Sequence, residues 1–359
     1  MHDIAGGAAL NRRGALAAGL AAAAFASAPQ ASAQARHQAA VRTSAPGARE
    51  FPTLTAALEA ATQTSARPFR ILLGEGVFTE KPTVATPDIH LVGQGRGRTI
   101  LSFGAASGHP RPDGSGTWGT SGSATLTVTA PGFRAERMSI NNSFDYLEDL
   151  RTQASGGAQA VALNLSRESD RTVLSDVELM GYQDTLLTHA GRTVFRNCRI
   201  GGAVDFIFGG GVALFDRCEI LTRATPGRAE GGYIAAPSTP RAQRYGLVFD
   251  RCRLTRERGV ADDSLYLGRP WRAGGNPDLR GAATFLRCWM DAHVASAGWT
   301  SMGFRAPDGF RLMLAPEEAR FAEYASRGPG ARPHALRRQL TAAEARAYAP
   351  ERVLDGWRP

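Results

Sequence analysis

Hydrophobic and polar positions follow a short pattern that recurs through the middle of this chain. The pattern has an apolar pair, two residues that are mostly polar, a Cys or Val, one further residue, and then Ile, Leu or Met. It occurs as VFRNCRI (194–200), LFDRCEI (214–220), VFDRCRL (248–254) and TFLRCWM (284–290), with VLSDVEL (173–179) as a weaker member. Each copy can form short strands but cannot bury its own apolar face, so the pattern predicts coils that stack and cover one another.

The spacing of the copies predicts an all-β solenoid. A period near 20 residues built from strands is typical of a parallel β-helix, in which neighbouring coils lie about 4.8 Å apart. The cysteines of successive copies are separated by 20, 34 and 36 residues. The later coils therefore carry loops that are about a dozen or more residues longer, and binding clefts are commonly built from such loops. We expect a single domain, because a solenoid grows by adding coils.

The two ends of the chain have different patterns. Residues 1–35 contain Arg12-Arg13, an apolar stretch over 15–26 and the Ala33-Gln34-Ala35 site, which together predict an export signal. Both the twin-arginine and the general secretory route fit, and the expected location is the periplasm or the medium. Residues 36–48 are expected to be a flexible lead-in, followed by one domain over 49–359.

Helical patterns flank the predicted solenoid. Residues 51–62 read as a short amphipathic helix that caps the first coil, and strands are expected at 69–73 and 89–92. From residue 316 onward the pattern predicts a helical and irregular tail, with Thr341 as N-cap and Glu344 three residues later. The glycine-rich segment 93–97 lacks the helix and the spacing of a nucleotide-binding loop.

Composition and charge narrow the class of partner. Hydrophobic residues make up 43% of the sequence, and after residue 35 no apolar run approaches the ~20 residues that cross a membrane. The formal net charge is +9. The positive charge favours an anionic partner, and no cluster of basic residues of the kind that binds nucleic acid occurs, so we expect a polyanionic substrate rather than a nucleic acid. We expect no membrane insertion.

The four cysteines occupy the same position of the repeat. In a stacked solenoid, Cys198 and Cys218 would lie on adjacent coils within reach of a disulfide. Free, buried thiols that behave as small apolar residues explain the same pattern. The sequence leaves both states open.

Two aspartates are separated by about one repeat and are the best candidates for chemistry. Asp184 lies in GYQDTLL and Asp205 lies 21 residues later in VDFIFGG. If each belongs to one coil, both carboxyl groups face one site. Two carboxyl groups one coil apart do not easily both ionise, so one would keep a proton and the other would be an anionic nucleophile.

Three segments resemble the signature motifs of the pectin methylesterase (pectinesterase) family. They are GYQDTLL (181–187), VDFIFG (204–209) and LGRPW (267–271), and GVFTE (76–80), QAVAL (159–163) and FAEYASRGPGA (321–331) extend the resemblance across about 51–359. The resemblance implies a right-handed, single-stranded parallel β-helix that hydrolyses the methyl esters of polygalacturonate (pectin). It implies neither a cofactor nor a metal.

The resemblance also implies roles for particular residues. Asp205 would be the nucleophile, Asp184 the general acid and base, and Arg269 the cation that keeps Asp205 ionised. The implied oxyanion donors are Gln159 and Gln183, and the implied sugar-binding residues are Phe208, Trp271 and Leu187.

Structural roles are alternatives for some of these residues. Gln159 and Gln183 would also fit a stacked amide ladder, Arg269 would fit an ion pair with a structural acid, and Phe208 would fit the core. Leu187 and Phe78 depart from the family, which usually has tyrosine at both places. The first departure leaves the preferred pattern of methylated and free units open.

Three other functions are compatible with parts of the pattern. An esterase or thioesterase that acts on another acyl compound would keep the same residues, and a non-catalytic polysaccharide-binding β-helix would keep them for folding. A pectate lyase would need a calcium-binding acidic cluster, which is not evident around Asp205. Histidines such as His189 and His293 fit no metal or triad pattern. A capped solenoid of this length is expected to be a monomer.

Overall fold

A computed structural model of the chain describes residues 36–227, 232–306 and 309–359. The predicted export signal over 1–35 lies outside the described residues. The described chain forms a parallel β-helix whose coils each contribute strands to three parallel ladders. Within the described ranges, no helix has both the length and the apolar character needed to cross a membrane.

The first ladder, called here the cleft ladder, has seven short parallel strands. These are Thr83–Val84, Leu126–Val128, Leu163–Leu165, Leu186–Thr188, Ile207–Gly209, Gly232–Pro237 and Leu265–Gly268. Most of its strands have only three or four residues, so their sequences carry little periodic signal.

The second ladder contains the N-terminal half of the repeated pattern. Its strands are Ala39–Val41, Phe69–Leu73, Ile89–Val92, the first halves of Arg134–Asn142 and Thr172–Met180, then Arg192–Arg196, Val212–Asp216, Leu247–Asp250, Ala282–Leu286 and Arg320–Tyr324. Strand Arg49–Phe51 pairs with Ala39–Val41 at its edge.

The third ladder contains the C-terminal half of the pattern. Its strands are Gly76–Phe78, Thr99–Phe103, the second halves of Arg134–Asn142 and Thr172–Met180, then Arg199–Gly202, Glu219–Thr222, Arg253–Arg256 and Trp289–Met290. A single residue in the left-handed region turns the chain from the second ladder to the third, as at Asn197 with φ 51° and Arg217 with φ 53°.

Equivalent residues of the repeat stack inside the solenoid, as the sequence predicts. The rings of Phe195, Phe215, Phe249 and Phe285 lie parallel, with successive centroids 4.7, 4.5 and 4.3 Å apart. Each ring covers the next, so the aromatic column buries apolar surface in every coil. All four cysteines are buried free thiols, and the Sγ of Cys218 lies 3.4 Å from the carbonyl oxygen of Phe195.

The N-terminal end differs in part from the prediction. The predicted capping helix is present as Leu54–Thr62, and Thr53 caps it through a 3.1 Å bond from the Ala56 N–H to its hydroxyl. The segment 36–48 is not simply a flexible lead-in, because Ala39–Val41 forms a fully buried strand paired with Phe69–Leu73. Three consecutive small apolar residues without alternation gave no strand signal in the sequence.

The C-terminal tail packs along the second ladder. Its helices and turns are Pro316–Glu318, Ala342–Ala345, Arg346–Tyr348 and Pro350–Val353. Thr341 and Glu344 form the predicted capping box, with the Thr341 N–H 2.7 Å from Glu344 Oε2. Leu340, Val353 and Leu354 cover the outward apolar side chains Val194 and Leu214.

The remaining elements lie in the connections between coils. They are the helices Gly119–Gly122 and Tyr146–Thr152, the short turn Ala273–Gly275, and an antiparallel pair of strands, Met302–Arg305 and Arg311–Leu314.

Candidate active site

Asp184 and Asp205 occupy equivalent positions of two adjacent coils. Each lies two residues before a strand of the cleft ladder, and those strands pair in register, with Leu186 opposite Ile207. Both aspartates have left-handed backbone conformations, with φ 64° and 47°. Aspartate tolerates this conformation better than most residues, so the turn itself favours Asp here. The structure therefore brings together the two carboxyl groups that the sequence spacing predicts.

Arg269 binds Asp205 through both of its carboxylate oxygens. Its Nε donates to Oδ1 at 2.9 Å, and its second guanidinium nitrogen donates to Oδ2 at 2.7 Å. Asp205 is only 7% exposed, so little water competes with this fork. Such bidentate pairs are among the stronger polar contacts in proteins, and this one favours the ionised form of Asp205.

Asp184 has the opposite environment. It is 8% exposed and forms no ion pair within the described ranges. Burial, followed by the negative charge of Asp205, raises the pKa of Asp184 well above its usual range, and Arg269 only partly opposes this. The raised pKa favours the protonated form of Asp184, beside the Asp205 carboxylate that Arg269 holds by two hydrogen bonds.

The two predicted oxyanion donors flank the aspartates. Gln183 directly precedes Asp184, and the Gln183 carbonyl accepts from the Ala160 N–H at 3.1 Å, which joins its coil to that of Gln159. The Ser107 hydroxyl donates to Oε1 of Gln159. Within the described ranges the two amides do not bond to each other, so the stacked amide ladder is not observed. Their Nε2 groups remain available to a ligand.

An apolar floor lies on the outward side of the cleft ladder. Phe208 pairs in register with Leu187 on one side and Ala236 on the other, and all three belong to a small buried cluster outside the main core. Trp271 packs on this cluster, with its ring centroid 5.8 Å from that of Phe208. Leu187 is 3% exposed, so it supports Phe208 and offers a ligand little surface of its own.

The structure adds three residues that the sequence did not indicate. The Tyr233 ring lies 3.9 Å from the Arg269 guanidinium carbon, and Tyr266 stacks on Tyr233 at 5.9 Å. Ser107 orients the amide of Gln159 from a loop 52 residues away. The two tyrosines lie in short strands of the cleft ladder that carry no periodic signal, and Ser107 lies in a connection between coils.

The histidines remain outside the site chemistry. His293 is buried in the solenoid, where its Nε2 lies 3.0 Å from the Thr222 hydroxyl and burial lowers its pKa to about 4. Among the described residues, no group of three or more His, Cys, Asp or Glu side chains is arranged to hold a metal ion. The chemistry that the described site can perform is thus attack by a carboxylate, assisted by a carboxylic acid and amide donors.

Comparison with known proteins agrees with this geometry. The Pectinesterase family model matches residues 40–356. Pectinesterase A of Dickeya dadantii (strain 3937) is 39% identical over 351 residues, which cover 93% of this chain and 95% of that protein. A solved pectin methylesterase from Yersinia enterocolitica superposes with a TM-score of 0.82 at 38% identity, covering 86% of this chain and 99% of that one.

A second solved structure extends the comparison. A pectin methylesterase in complex with a hexasaccharide superposes with a TM-score of 0.85 at 37% identity, covering 90% of this chain and 99% of that one. Identity above 30% over nearly the whole length, the shared fold and the match of the family model together show that this chain belongs to the Pectinesterase family.

Proposed function

We propose that this chain is a carboxylic ester hydrolase that removes methyl esters from a pectin-type polysaccharide, with Asp205 as its nucleophile. The observation that carries the proposal is the forked Arg269–Asp205 pair beside a buried, protonated Asp184. The relatives are named pectinesterases, and one related structure holds a hexasaccharide. These facts favour a polysaccharide substrate over the small acyl esters and thioesters considered above.

The first step is acyl transfer to the enzyme. An ionised Asp205 oxygen attacks the C6 carbonyl carbon of a methyl galacturonate unit, and the carbonyl oxygen takes the negative charge. The amide N–H groups of Gln159 and Gln183 donate to that oxygen. The tetrahedral intermediate collapses as the bond to the methoxy oxygen breaks and Asp184 gives its proton to it. Methanol leaves, and a mixed anhydride joins the sugar carboxyl group to Asp205.

The second step restores the enzyme. Asp184, now ionised, takes a proton from water as the water oxygen attacks the anhydride carbonyl carbon. The bond to the Asp205 oxygen breaks and restores the Asp205 carboxylate, Asp184 is protonated again, and the galacturonic acid product leaves and releases its proton to solvent. Arg269 then forms its fork with both Asp205 oxygens again, so the nucleophile has the same orientation at the start of each cycle.

The apolar floor suits the ester rather than the acid. Phe208, which is only 4% exposed, and half-buried Trp271 form an aromatic corner in which Trp271 supplies the accessible surface. A methyl ester is uncharged and fits such a surface, whereas a product carboxylate would lose hydration there. The corner therefore favours binding of substrate and release of product.

The test is methanol release from highly methylated pectin. The wild-type chain should release methanol in the presence of a chelator, and Asp205→Asn should lower turnover by about three orders of magnitude or more while the protein stays folded. Asp176→Asn is a matched control, because Asp176 has φ 55° and lies on a different turn. Folded wild-type protein that releases no methanol would refute the assignment.

A non-catalytic role makes a different prediction. A polysaccharide-binding module would bind pectin equally well with Asp205→Asn and would release no methanol in either form. We also propose that the enzyme acts outside the cytoplasm, since its polymeric substrate cannot cross a membrane. Cleavage after residue 35 on export from the cell would support that location.

A further inference from the structure

Lys81 is the single lysine of the sequence and lies at one end of the cleft ladder. It comes two residues before Thr83–Val84, the first strand of that ladder. Its Nζ donates to the Ala124 carbonyl at 2.7 Å and lies 4.7 Å from the centre of the Trp118 ring. One of its three N–H donors is thus used, and two remain available.

A second cation lies on the same indole ring. The Arg111 guanidinium carbon is 5.4 Å from the centre of the Trp118 ring, and its Nε donates to the Thr117 carbonyl at 3.2 Å. Cation–π contacts hold both charged groups near one aromatic side chain. Two cations held this close repel each other unless an anion lies between them.

Within the described ranges no ion pair joins an acidic side chain to Lys81 or Arg111, although hydrogen bonds from Ser115 and then the charge of Arg111 lower the pKa of exposed Asp113. Glu80 is the neighbour of Lys81 in sequence, but its carboxylate accepts the N–H groups of Leu54 and Thr55 at 2.9 Å each, at the start of the capping helix. Asp113 accepts from Ser115 within its own loop. Burial and then the charge of Arg111 lower the pKa of Lys81 to about 8.

The cation pair is continuous with the catalytic face. Thr83 pairs with Thr127, and the same register line passes through Asn164 and Leu187 to Phe208. Counting about 4.8 Å per coil, the coil of Lys81 lies roughly 19 Å along the solenoid axis from that of Phe208. A single sugar does not span this distance, whereas an oligosaccharide bound along the ladder does.

We infer that Lys81, Arg111 and Trp118 form a distal subsite that binds the free carboxylate of a galacturonate unit on the chain whose ester is being cleaved. Lys81 supplies two N–H donors, Arg111 supplies its fork, and the exposed part of Trp118 packs against the sugar ring. The inference rests on the proposed function and deepens it. It implies a substrate that is already de-esterified at a distance from the reacting unit.

The test uses two oligogalacturonates of equal length, one fully de-esterified and one fully methyl-esterified, each spanning the about 19 Å between the two coils. Binding is measured by calorimetry with Asp205→Asn as the background, so that no ester is cleaved. Lys81→Met should weaken binding of the free acid about tenfold and leave binding of the ester unchanged, and Lys81→Arg should restore most of the loss. Arg134→Met removes the same charge from an exposed strand position on another ladder and should change neither affinity.

A second measurement follows Lys81 directly. Reductive methylation with ¹³C-formaldehyde labels the single ε-amine, which keeps its charge, together with the N-terminal amine, and the ε-amine signal is the one that is missing from labelled Lys81→Met. This signal should move saturably with the free-acid oligomer and not with the ester. Equal losses for both oligomers, or an unmoved signal at saturation, would overturn the subsite. If wild-type protein bound neither oligomer and released no methanol, the proposed function itself would be wrong.

Discussion

Replacing Arg269 by methionine tests how much its two hydrogen bonds to Asp205 contribute to catalysis. Arg269→Met keeps an unbranched apolar stem that still covers Tyr233, and it removes both hydrogen bonds to the carboxylate. Asp205 then lies buried beside Asp184 without a counter-ion. Nothing then orients the carboxylate toward the ester carbonyl, and a nucleophile that is not held in line reacts slowly.

The size of the effect follows from the two contacts. Each hydrogen bond to a charged group contributes about 1.5 to 3 kcal/mol, so the fork contributes about 3 to 6 kcal/mol. Little discount for solvent applies, because the side chains of Arg269 and Asp205 are 22% and 10% exposed. Every 1.4 kcal/mol changes the rate about tenfold, which gives a loss in kcat of about 10² to 10⁴. Arg269→Lys restores the positive charge without the two-bond fork, so its kcat should lie between those of the wild type and Arg269→Met.

The assay is methanol release as a function of pH, together with thermal unfolding of each variant. We expect kcat of Arg269→Met to be low across the whole pH range, since the Asp205 carboxylate has lost both donors that orient it. External guanidinium ions should recover part of the activity. A kcat within tenfold of wild type would refute the reasoning that Arg269 activates the nucleophile.

Three further predictions follow from single contacts. Asp184→Asn should abolish turnover yet raise Tm at neutral pH. The raised pKa of Asp184 means that the folded chain holds a proton that the unfolded chain releases above about pH 4, and this costs stability that Asn does not lose. No gain in Tm is expected below about pH 4, and a lower Tm at pH 7 would contradict the prediction. Ser107→Ala should lower kcat about tenfold or more with little change in KM, because the amide of Gln159 loses its anchor, and wild-type turnover would show that the anchor is unnecessary. Arg217→Asn should raise the free energy of unfolding by about 0.5 to 1 kcal/mol in urea titrations, since Asn tolerates φ 53° better than Arg does and Asn197 already occupies the equivalent turn. A lower free energy of unfolding would contradict the prediction.

The stacked interior could be predicted because the repeat acts through local spacing. Phe195 and Cys198 recur in later coils at fixed offsets from each other, and the register pairs Phe195 with Phe215. The same logic placed Asp184 beside Asp205. In a solenoid, a sequence separation of one coil is also a spatial contact, so such neighbours can be found without the fold.

Other features could not be predicted from spacing. The buried strand Ala39–Val41 has no alternation, and the two-residue strand Thr83–Val84 is too short for any period. Ser107 and Trp118 come from connections of irregular length, and Tyr233 lies in a short strand that directly follows one. Their contacts with Arg269, Gln159 and Lys81 depend on how loops fold across the coils.

The sequence by itself determined the stacked coils, the aspartate pair and the family resemblance, because all three depend on short motifs of contiguous residues. Only the tertiary structure supplies a physical reason for the different roles that the resemblance implies for the two aspartates. That reason is the burial of both carboxyl groups, together with a guanidinium that reaches Asp205 from 64 residues away. Charge, distance and exclusion of water act through space, and a linear pattern does not encode them when the intervening loops vary in length.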